Sequence, residues 1–252
     1  MGRWWTLEIA DKVAMLTFTR PPRNWMSLAA MTELADQLTE LEGLTDDAAV
    51  VVLTGGVDGY FIAHADLDDL AVVGRGGQPE GDPTAWVRAL AKLESMPQPT
   101  VAAIDGQAWG GGCETALACT LRVGSERAHL GQPEVSVGII PGAGGSQRLP
   151  RLVGPGVGAE LCLTGRIMQA EEALRIGLLN AVFPTDGFLD HVGQWCGRIT
   201  RNPAGAVFAA KRAVVDGLRL PLDEGLRLES RLFATANASP EARAANESVP
   251  RP

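Results

Sequence analysis

Two glutamates beside glycine-rich stretches are the side chains of this sequence best suited to proton transfer. Glu114 follows three glycines and a cysteine in GQAWGGGCETALAC, and Glu134 comes twenty residues later in GQPEVSVGIIPGAGG. The residues around Glu134 are largely apolar, and a lone carboxylate in such surroundings is costly. Two carboxylates at one site can act as acid and base when their surroundings separate their pKa values. The sequence therefore predicts one acid–base site that contains both glutamates.

The glycines at 110–112 precede a predicted helix, and two interpretations of them stay open from the residues alone. The first turn of a helix has backbone N–H groups without partners and a partial positive charge. Glycines just before it let another molecule approach the backbone closely, which makes a site for an anion or a developing oxyanion. Alternatively, the glycines only allow a strand to pack tightly on a helix. Neither this stretch nor PGAGGSQRL contains the Gly-Lys-Ser/Thr of a phosphate-binding loop.

The composition argues against several other classes of function. The 252 residues carry a formal net charge of −8, and the longest basic run is the pair Lys211 and Arg212, so we predict no nucleic-acid partner. Four cysteines without a CxxC pair and three histidines do not form a zinc pattern, so we predict no metal site. The sequence has no apolar run of ~20 residues and no signal-peptide core at its start. We expect a cytoplasmic protein that does not enter a membrane.

The elements around these motifs alternate between strand and helix. The segment WTLEIADKVAMLTFTRP predicts a hairpin, and AAVVVLTGG and TVAAIDG are apolar runs typical of strands buried on both faces. Helices are predicted over residues 28–43 and in TAWVRALAKLESM, with a loop over residues 73–83 between them. The apolar residues of the first helix are Leu28, Met31, Leu34, Ala35, Leu38 and Leu41. Helices dominate the last third, so the sequence predicts one α/β domain with a helical C-terminal part.

Four segments in order resemble the enoyl-CoA hydratase/isomerase (crotonase) family. The stretch from GQAWGGGCETALAC to GAGGSQRLPRLVG resembles its central signature. PPRNWMSLAAMTEL, VVVLTGGVDGYFIAHADLDDL and LTGRIMQAEEALRIGLLNAVFP resemble its other landmarks. The resemblance implies a spiral of ββα units over residues 1–190 and a helical trimerisation region over residues 191–252. It also implies a homotrimer, or a hexamer made of two trimers.

The same resemblance implies a reaction and its catalytic groups. Members of the family bind acyl-CoA thioesters and stabilise an enolate with two backbone N–H groups, which the motifs place at Ala65 and Gly111. Glu114 and Glu134 match the two acidic positions of the hydratases, so the implied reaction is hydration of a trans-2-enoyl-CoA to a 3-hydroxyacyl-CoA. No cofactor is implied beyond the coenzyme A of the substrate. Three alternatives stay open: an isomerase or other acyl-CoA enzyme, an RNA-binding relative, and a silent scaffold.

The substrate-binding residues implied by the resemblance are spread along the chain. They are Ala63, His64, Asp66 and Leu67 for the nucleotide end of CoA, Trp25 and Met26 beside the acyl pocket, Gly142 for the water, and Phe233. Phe233 either packs on CoA from a neighbouring subunit or is a core aromatic. His64 departs from the family, which has a glycine there that can adopt positive φ. The tail AANESVPRP also departs, because Arg251 is its only basic residue.

Overall fold

The computed structural model describes residues 2–248, so Arg251 lies outside the described residues. The strands are β1 (Trp5–Ala10), β2 (Val13–Phe18), β3 (Val50–Gly55), β4 (Thr100–Ile104), β5 (Gln107–Trp109), β6 (Leu121–Ser125), β7 (His129–Gly131), β8 (Ile167–Gln169) and β9 (Ala181–Phe183). The helices are α1 (Leu28–Glu42), α2 (Leu67–Gly74), α3 (Ala85–Ser95), α4 (Gly111–Ala118), α5 (Gly145–Val153), α6 (Pro155–Thr164), α7 (Ala170–Arg175), α8 (Phe188–Thr200), α9 (Ala204–Gly217), α10 (Leu222–Asn237) and α11 (Pro240–Ser248). A 3-10 helix covers Pro133–Val137.

A six-stranded sheet forms the centre of the fold, in the order β1-β2-β3-β4-β6-β9. The first two strands form the predicted antiparallel hairpin, and every later neighbour pairs in parallel. Strands β3 and β4 are the two apolar runs, and nearly every residue in them is buried. The prediction of an α/β domain with a helical C-terminal part is confirmed.

Each face of this sheet is covered by a different hydrophobic cluster. Val51 and Leu53 of β3 point into the larger cluster, which includes the apolar face of α1. Val50 and Val52 point to the other face, where α8 covers them. This alternation follows from the two-residue period of a strand. All six apolar residues predicted for the first helix are buried on α1, so that prediction is confirmed.

A second, three-stranded sheet brings the two glutamate segments together. Its order is β5-β7-β8, and β5 pairs in parallel with β7, with Trp109 opposite Gly131. The Gly110 N–H continues this pairing by donating to the Gly131 carbonyl over 2.9 Å. The ends of β5 and β7 therefore lie side by side. The first leads into α4 with Glu114, and the second leads into the 3-10 helix with Glu134.

The C-terminal helices extend from the sheet-covering helix α8. The predicted boundary between the spiral core and the trimerisation region, at residue 190, falls inside α8. Phe188, Val192 and Cys196 of this helix pack on the sheet. The division into these two regions stays a prediction. Helices α9 and α10 pack against each other. Within the described residues 2–248, no helix is long and apolar enough to cross a membrane. On α10, Leu228 is buried, whereas Phe233 is 68% exposed. Phe233 is therefore not a core aromatic of its own chain.

Candidate active site

A cavity of about 780 Å³ opens where α2, α3 and α4 meet the 3-10 helix and the loop before α5. Seven of the predicted site residues line it: His64, Ala65, Leu67, Gly111, Glu114, Glu134 and Gly142. Most of the remaining wall is apolar. It includes Leu70, Trp86, Val87, Leu90, Trp109, Val137, Ile139 and Ile140. The cavity therefore offers two carboxylates and backbone groups in mainly apolar surroundings, where electrostatic interactions are strong.

The backbones of Ala65 and Gly111 lie close together in the wall of this cavity. Gly111 is the first residue of α4, so its N–H has no intrahelical partner. A Cβ placed on Gly111 would lie 3.2 Å from the Ala65 nitrogen. The backbone bonds between Met26 and the flanking residues His64 and Asp66 do not use the N–H of Ala65. The two residues predicted to offer their N–H groups to a thioester oxygen are thus neighbours at the start of α4.

Glu114 is almost fully buried one turn into α4, and its carboxylate is held by backbone donors. Its Oε1 accepts hydrogen bonds from the Ala143 N–H at 2.7 Å and from the Gly145 N–H at 2.8 Å. Burial raises the pKa of Glu114, while these two bonds and the charge of Arg148 act in the opposite direction. The side chain is fixed, and one of its carboxylate oxygens is free of these two bonds.

Glu134 lies at the start of the 3-10 helix and is only partly buried. Burial, with a smaller contribution from the negative charge of Glu114, raises its pKa to about 7. Gln132 is completely buried behind it. With its amide nitrogen turned toward the carboxylate, Gln132 donates to Oε1 at 2.9 Å and to Oε2 at 3.2 Å. The surroundings of Glu134 therefore differ from those of Glu114, as a pair with separate acid and base roles requires.

A side chain is disfavoured at each of the three glycines before Glu114 for a different structural reason. Gly110 has φ +48°, which favours glycine, and a Cβ there would lie 3.0 Å from Oε1 of Glu134. At Gly112 a Cβ would lie 1.8 Å from the carbonyl oxygen of Ile62, a backbone clash. At Gly111 the near atoms are the Ala65 nitrogen and the outer edge of the Trp86 ring. Packing alone explains Gly112, whereas Gly110 and Gly111 face the cavity.

His64 fits its position without a left-handed backbone. Among the described residues 2–248, the non-glycine residues with positive φ are Asp11, Lys12 and Asn24. The expected conflict at the glycine position of the family therefore does not arise. The Nδ1 atom of His64 lies 2.6 Å from the Ala65 carbonyl oxygen, and its ring packs on Trp25 with centroids 4.9 Å apart.

The other residues predicted to bind substrate have different surroundings. Met26 does not line the cavity: its side chain is in the larger core cluster with 1% exposure. Ala63 is fully buried, and Asp66 caps α2 and forms an ion pair with Arg20. Trp25 lines a second cavity of about 460 Å³. The prediction that Trp25 and Met26 narrow the acyl pocket is therefore wrong for Met26, whose side chain points inward, and Trp25 belongs to the neighbouring cavity.

Four residues that were not predicted to belong to the site contact its backbone, its carboxylates or its cavity. The side-chain amide of Asn24, which is buried, donates to the carbonyls of Phe18 and Phe61 and so fixes the segment that leads to Ala65. Arg148 donates to the carbonyl of Ala143 and pairs with Glu94. The remaining two are Gln132 and Trp86. Asn24, Gln132 and Arg148 stand inside or beside quoted motifs, whereas Trp86 stands in an ordinary amphipathic helix and gave no local signal.

Comparisons with known proteins identify the family of this chain. The family model described as enoyl-CoA hydratase/isomerase matches residues 8–249. The chain is 36% identical over 236 residues to a crotonyl-CoA hydratase of Syntrophomonas wolfei, covering 92% of this chain and 89% of that protein. It is 36% identical over 232 residues to a short-chain-enoyl-CoA hydratase of Clostridium acetobutylicum, with coverages of 90% and 87%.

Solved structures show the same fold. An enoyl-CoA hydratase from Bacillus anthracis superposes with a TM-score of 0.89 at 34% identity, covering 98% of this chain and 95% of that one. The two-glutamate cavity, the match along nearly the whole sequence and the shared fold lead to one assignment. This chain belongs to the enoyl-CoA hydratase/isomerase family.

Proposed function

We propose that this protein is an enoyl-CoA hydratase, which adds water across the trans-2 double bond of an enoyl-CoA to give a 3-hydroxyacyl-CoA. The observation that carries the proposal is that Glu114 and Glu134 line the same cavity as the backbone of Ala65 and Gly111. Relatives named as hydratases of crotonyl-CoA and of short-chain enoyl-CoA support it.

The geometry supports a division of labour among these groups. The thioester oxygen accepts hydrogen bonds from the N–H groups of Ala65 and Gly111, with the dipole of α4 adding to the attraction. Glu114 takes a proton from water while the water oxygen bonds to C3, and the π electrons move onto the thioester oxygen. Glu134 then gives a proton to C2. One proton has moved from Glu134 to Glu114, so the pair exchanges it back before the next cycle. Gly142, in the cavity wall near Glu114, is proposed to help hold the water.

The nucleotide end of CoA is proposed to lie along residues 63–67 and to reach the second cavity. That cavity is lined by Arg20, Arg23, Trp25 and Asp66 among others, and the Arg23 guanidinium lies 5.9 Å from the centroid of the Trp25 ring. An aromatic face beside a cation suits a base and its phosphates. No cofactor beyond the CoA of the substrate is proposed. A reducing, cytoplasmic setting is supported by four free cysteines, Cys113, Cys119, Cys162 and Cys196.

The proposed activity is tested with purified protein and crotonyl-CoA. Hydration removes the conjugated double bond, so the ultraviolet absorbance of the enoyl thioester decreases and mass spectrometry identifies 3-hydroxybutyryl-CoA. A parallel assay starts from 3-hexenoyl-CoA, from which an isomerase would generate the conjugated thioester. Loss of absorbance in the first assay with no gain in the second is the expected result. Turnover of 3-hexenoyl-CoA without hydration of crotonyl-CoA would show that the protein is an isomerase and not a hydratase.

The rate of hydration is expected to fall as the pH rises through about 7. Glu134 has a pKa raised to about 7, so it is protonated below this pH and ionised above it. As the proton donor to C2, it is active only in the protonated form. A profile of kcat/KM for crotonyl-CoA between about pH 6 and about pH 8.5 measures this decline. Glu134→Gln, which cannot ionise, is expected to remove the decline from the residual activity. A wild-type profile without any decline would contradict the donor role.

The protein is expected to be a homotrimer or a pair of trimers. Leu222 and Leu226 of α10 are 79% and 51% exposed in the single chain, and Phe233 is 68% exposed. Such residues favour burial against another copy. Leu228 of the same helix is buried within the chain and is not available to another copy. Light scattering is expected to give three or six times the chain mass of 26.6 kDa. A fully active monomer at micromolar concentration would contradict this prediction.

A further inference from the structure

One large side chain in the cavity wall has no role in the proposed proton transfers. Trp86, the second residue of α3, lies partly buried between the larger core cluster and the cavity. Its Cη2 would be only 2.8 Å from a Cβ on Gly111, so the ring edge lies beside Gly111 and Ala65. The indole therefore occupies space next to the proposed position of the thioester. A smaller side chain at this position would leave that space open to the acyl chain.

The helix that carries Trp86 is anchored to the fold at its C-terminal end and along its length. Lys211 of α9 is buried and donates to the carbonyls of Met96 and Gln98, just beyond the end of α3, at 2.7 and 2.8 Å. Arg88 and Lys92 of α3 also form ion pairs with α1, through Asp36 and Glu42. Because Ala85, Ala89, Leu90 and Leu93 are buried against the core as well, the wall is held in place and has a defined size.

The charges of the cavity wall disfavour a charged acyl chain. The arginine in the wall, Arg148, is already paired, with Nε 2.6 Å from Oε1 of Glu94 and Nη1 2.8 Å from the carbonyl oxygen of Ala143. Glu114 and Glu134 would repel a further carboxylate. The apolar residues that line the rest of the wall, such as Leu70 and Leu90, suit hydrocarbon.

We propose that Trp86 is the specificity-determining residue of this cavity and limits its substrates to short, uncharged 2-enoyl groups. This inference rests on the proposed function, because the acyl chain is placed by its thioester at Ala65 and Gly111. The indole forms the wall against which the first carbons of the chain pack. Longer chains meet the ring, and a chain that ends in a carboxylate finds no unpaired arginine or lysine among the cavity-lining residues within positions 2–248.

The proposal is tested with Trp86→Ala, Trp86→Phe and the control Trp195→Ala. Trp195 packs in the smaller cluster on the opposite face of the sheet, away from the cavity. For each protein, kcat/KM is measured with crotonyl-CoA, 2-hexenoyl-CoA and 2-octenoyl-CoA, and Kd with saturated butyryl-CoA and octanoyl-CoA. Circular dichroism and particle mass establish that each variant is folded. Trp86→Phe keeps a smaller aromatic ring, and it tests the proposal if Trp86→Ala does not fold.

Wild-type kcat/KM is expected to decrease as the chain lengthens. Trp86→Ala is expected to raise the ratio of octenoyl to crotonyl activity by about tenfold or more, Trp86→Phe by less, and Trp195→Ala not at all. Folded Trp86 variants with the wild-type ratio would overturn the proposal, as would wild-type preference for a carboxylate-ended chain over an uncharged one of equal length. If no enoyl-CoA is hydrated, the proposed function fails, and the Kd ratio of octanoyl-CoA to butyryl-CoA alone decides the role of Trp86.

Discussion

Glu114→Gln and Glu134→Gln are each expected to lower kcat/KM for the hydration of crotonyl-CoA by about 10²–10⁴-fold. Glutamine keeps the shape of the side chain but neither takes up nor releases a proton in the neutral range. At position 114 its amide oxygen can still accept the hydrogen bonds that Ala143 and Gly145 donate to Oε1. At position 134 the side chain is only partly buried, so the change leaves the core untouched. Activity should therefore fall while the fold persists.

A matched control for these variants is Glu171→Gln. Glu171 lies exposed in the first turn of α7, outside the residues that line either cavity. Its replacement removes one negative charge, as the other two do, and should leave kcat/KM unchanged. Initial rates with all four proteins, each with its circular dichroism spectrum, complete the comparison. If Glu114→Gln and Glu134→Gln both retained near-wild-type turnover, the proposed division between base and acid would be wrong.

Gly111→Val is expected to abolish turnover while the protein stays folded. The new Cβ would lie 3.2 Å from the Ala65 nitrogen and 2.8 Å from Cη2 of Trp86, and two stiff methyl groups would extend from it. They fill the space that the thioester oxygen must enter. Loss of one oxyanion donor lowers rates by about 10²–10³-fold, and blocking both should lower them at least as much. The closest contact is with the outer edge of the Trp86 ring, and the Ala65 atoms at 3.1 and 3.2 Å need move by only a few tenths of an ångström, so α4 can keep its place.

The neighbouring Gly112 provides the contrast. A Cβ there would lie 1.8 Å from the Ile62 carbonyl oxygen, so even Gly112→Ala must shift the backbone and should lower the melting temperature. Melting temperature and activity measured on the same preparations separate the two roles. Gly111→Val should lose activity with a small change in melting temperature, and Gly112→Ala should lose stability. An active Gly111→Val enzyme would remove the oxyanion role of this backbone.

Local patterns in the sequence were sufficient to predict many of the helices and strands. The period of α1 identified its buried face, and the unbroken apolar run of β3 indicated a strand covered on both sides. The closeness of Glu114 and Glu134 could be argued from their apolar and glycine-rich settings. Its actual cause is the pairing of β5 with β7, a contact between distant segments that no local pattern records.

Residues whose roles depend on side-chain direction were harder to predict. Trp25 and Met26 are adjacent in the chain, and in extended backbone neighbouring side chains point to opposite sides. Met26, which bridges to Ala65, therefore points into the core, while Trp25 faces the second cavity. Trp86 reaches the site only because α3 packs across the start of α4, which again depends on tertiary structure.

The central claim is that this cavity adds water to an enoyl-CoA, and labelled water tests it most directly. Crotonyl-CoA is incubated with the wild-type protein and with Glu114→Gln in water enriched in the heavy oxygen isotope. The masses of the products are then measured by mass spectrometry. The wild-type protein should yield 3-hydroxybutyryl-CoA with one heavy oxygen at C3, and the variant should form it at a rate lower by about 10²-fold or more. A wild-type product without heavy oxygen, or equal labelling rates for both proteins, would contradict the account.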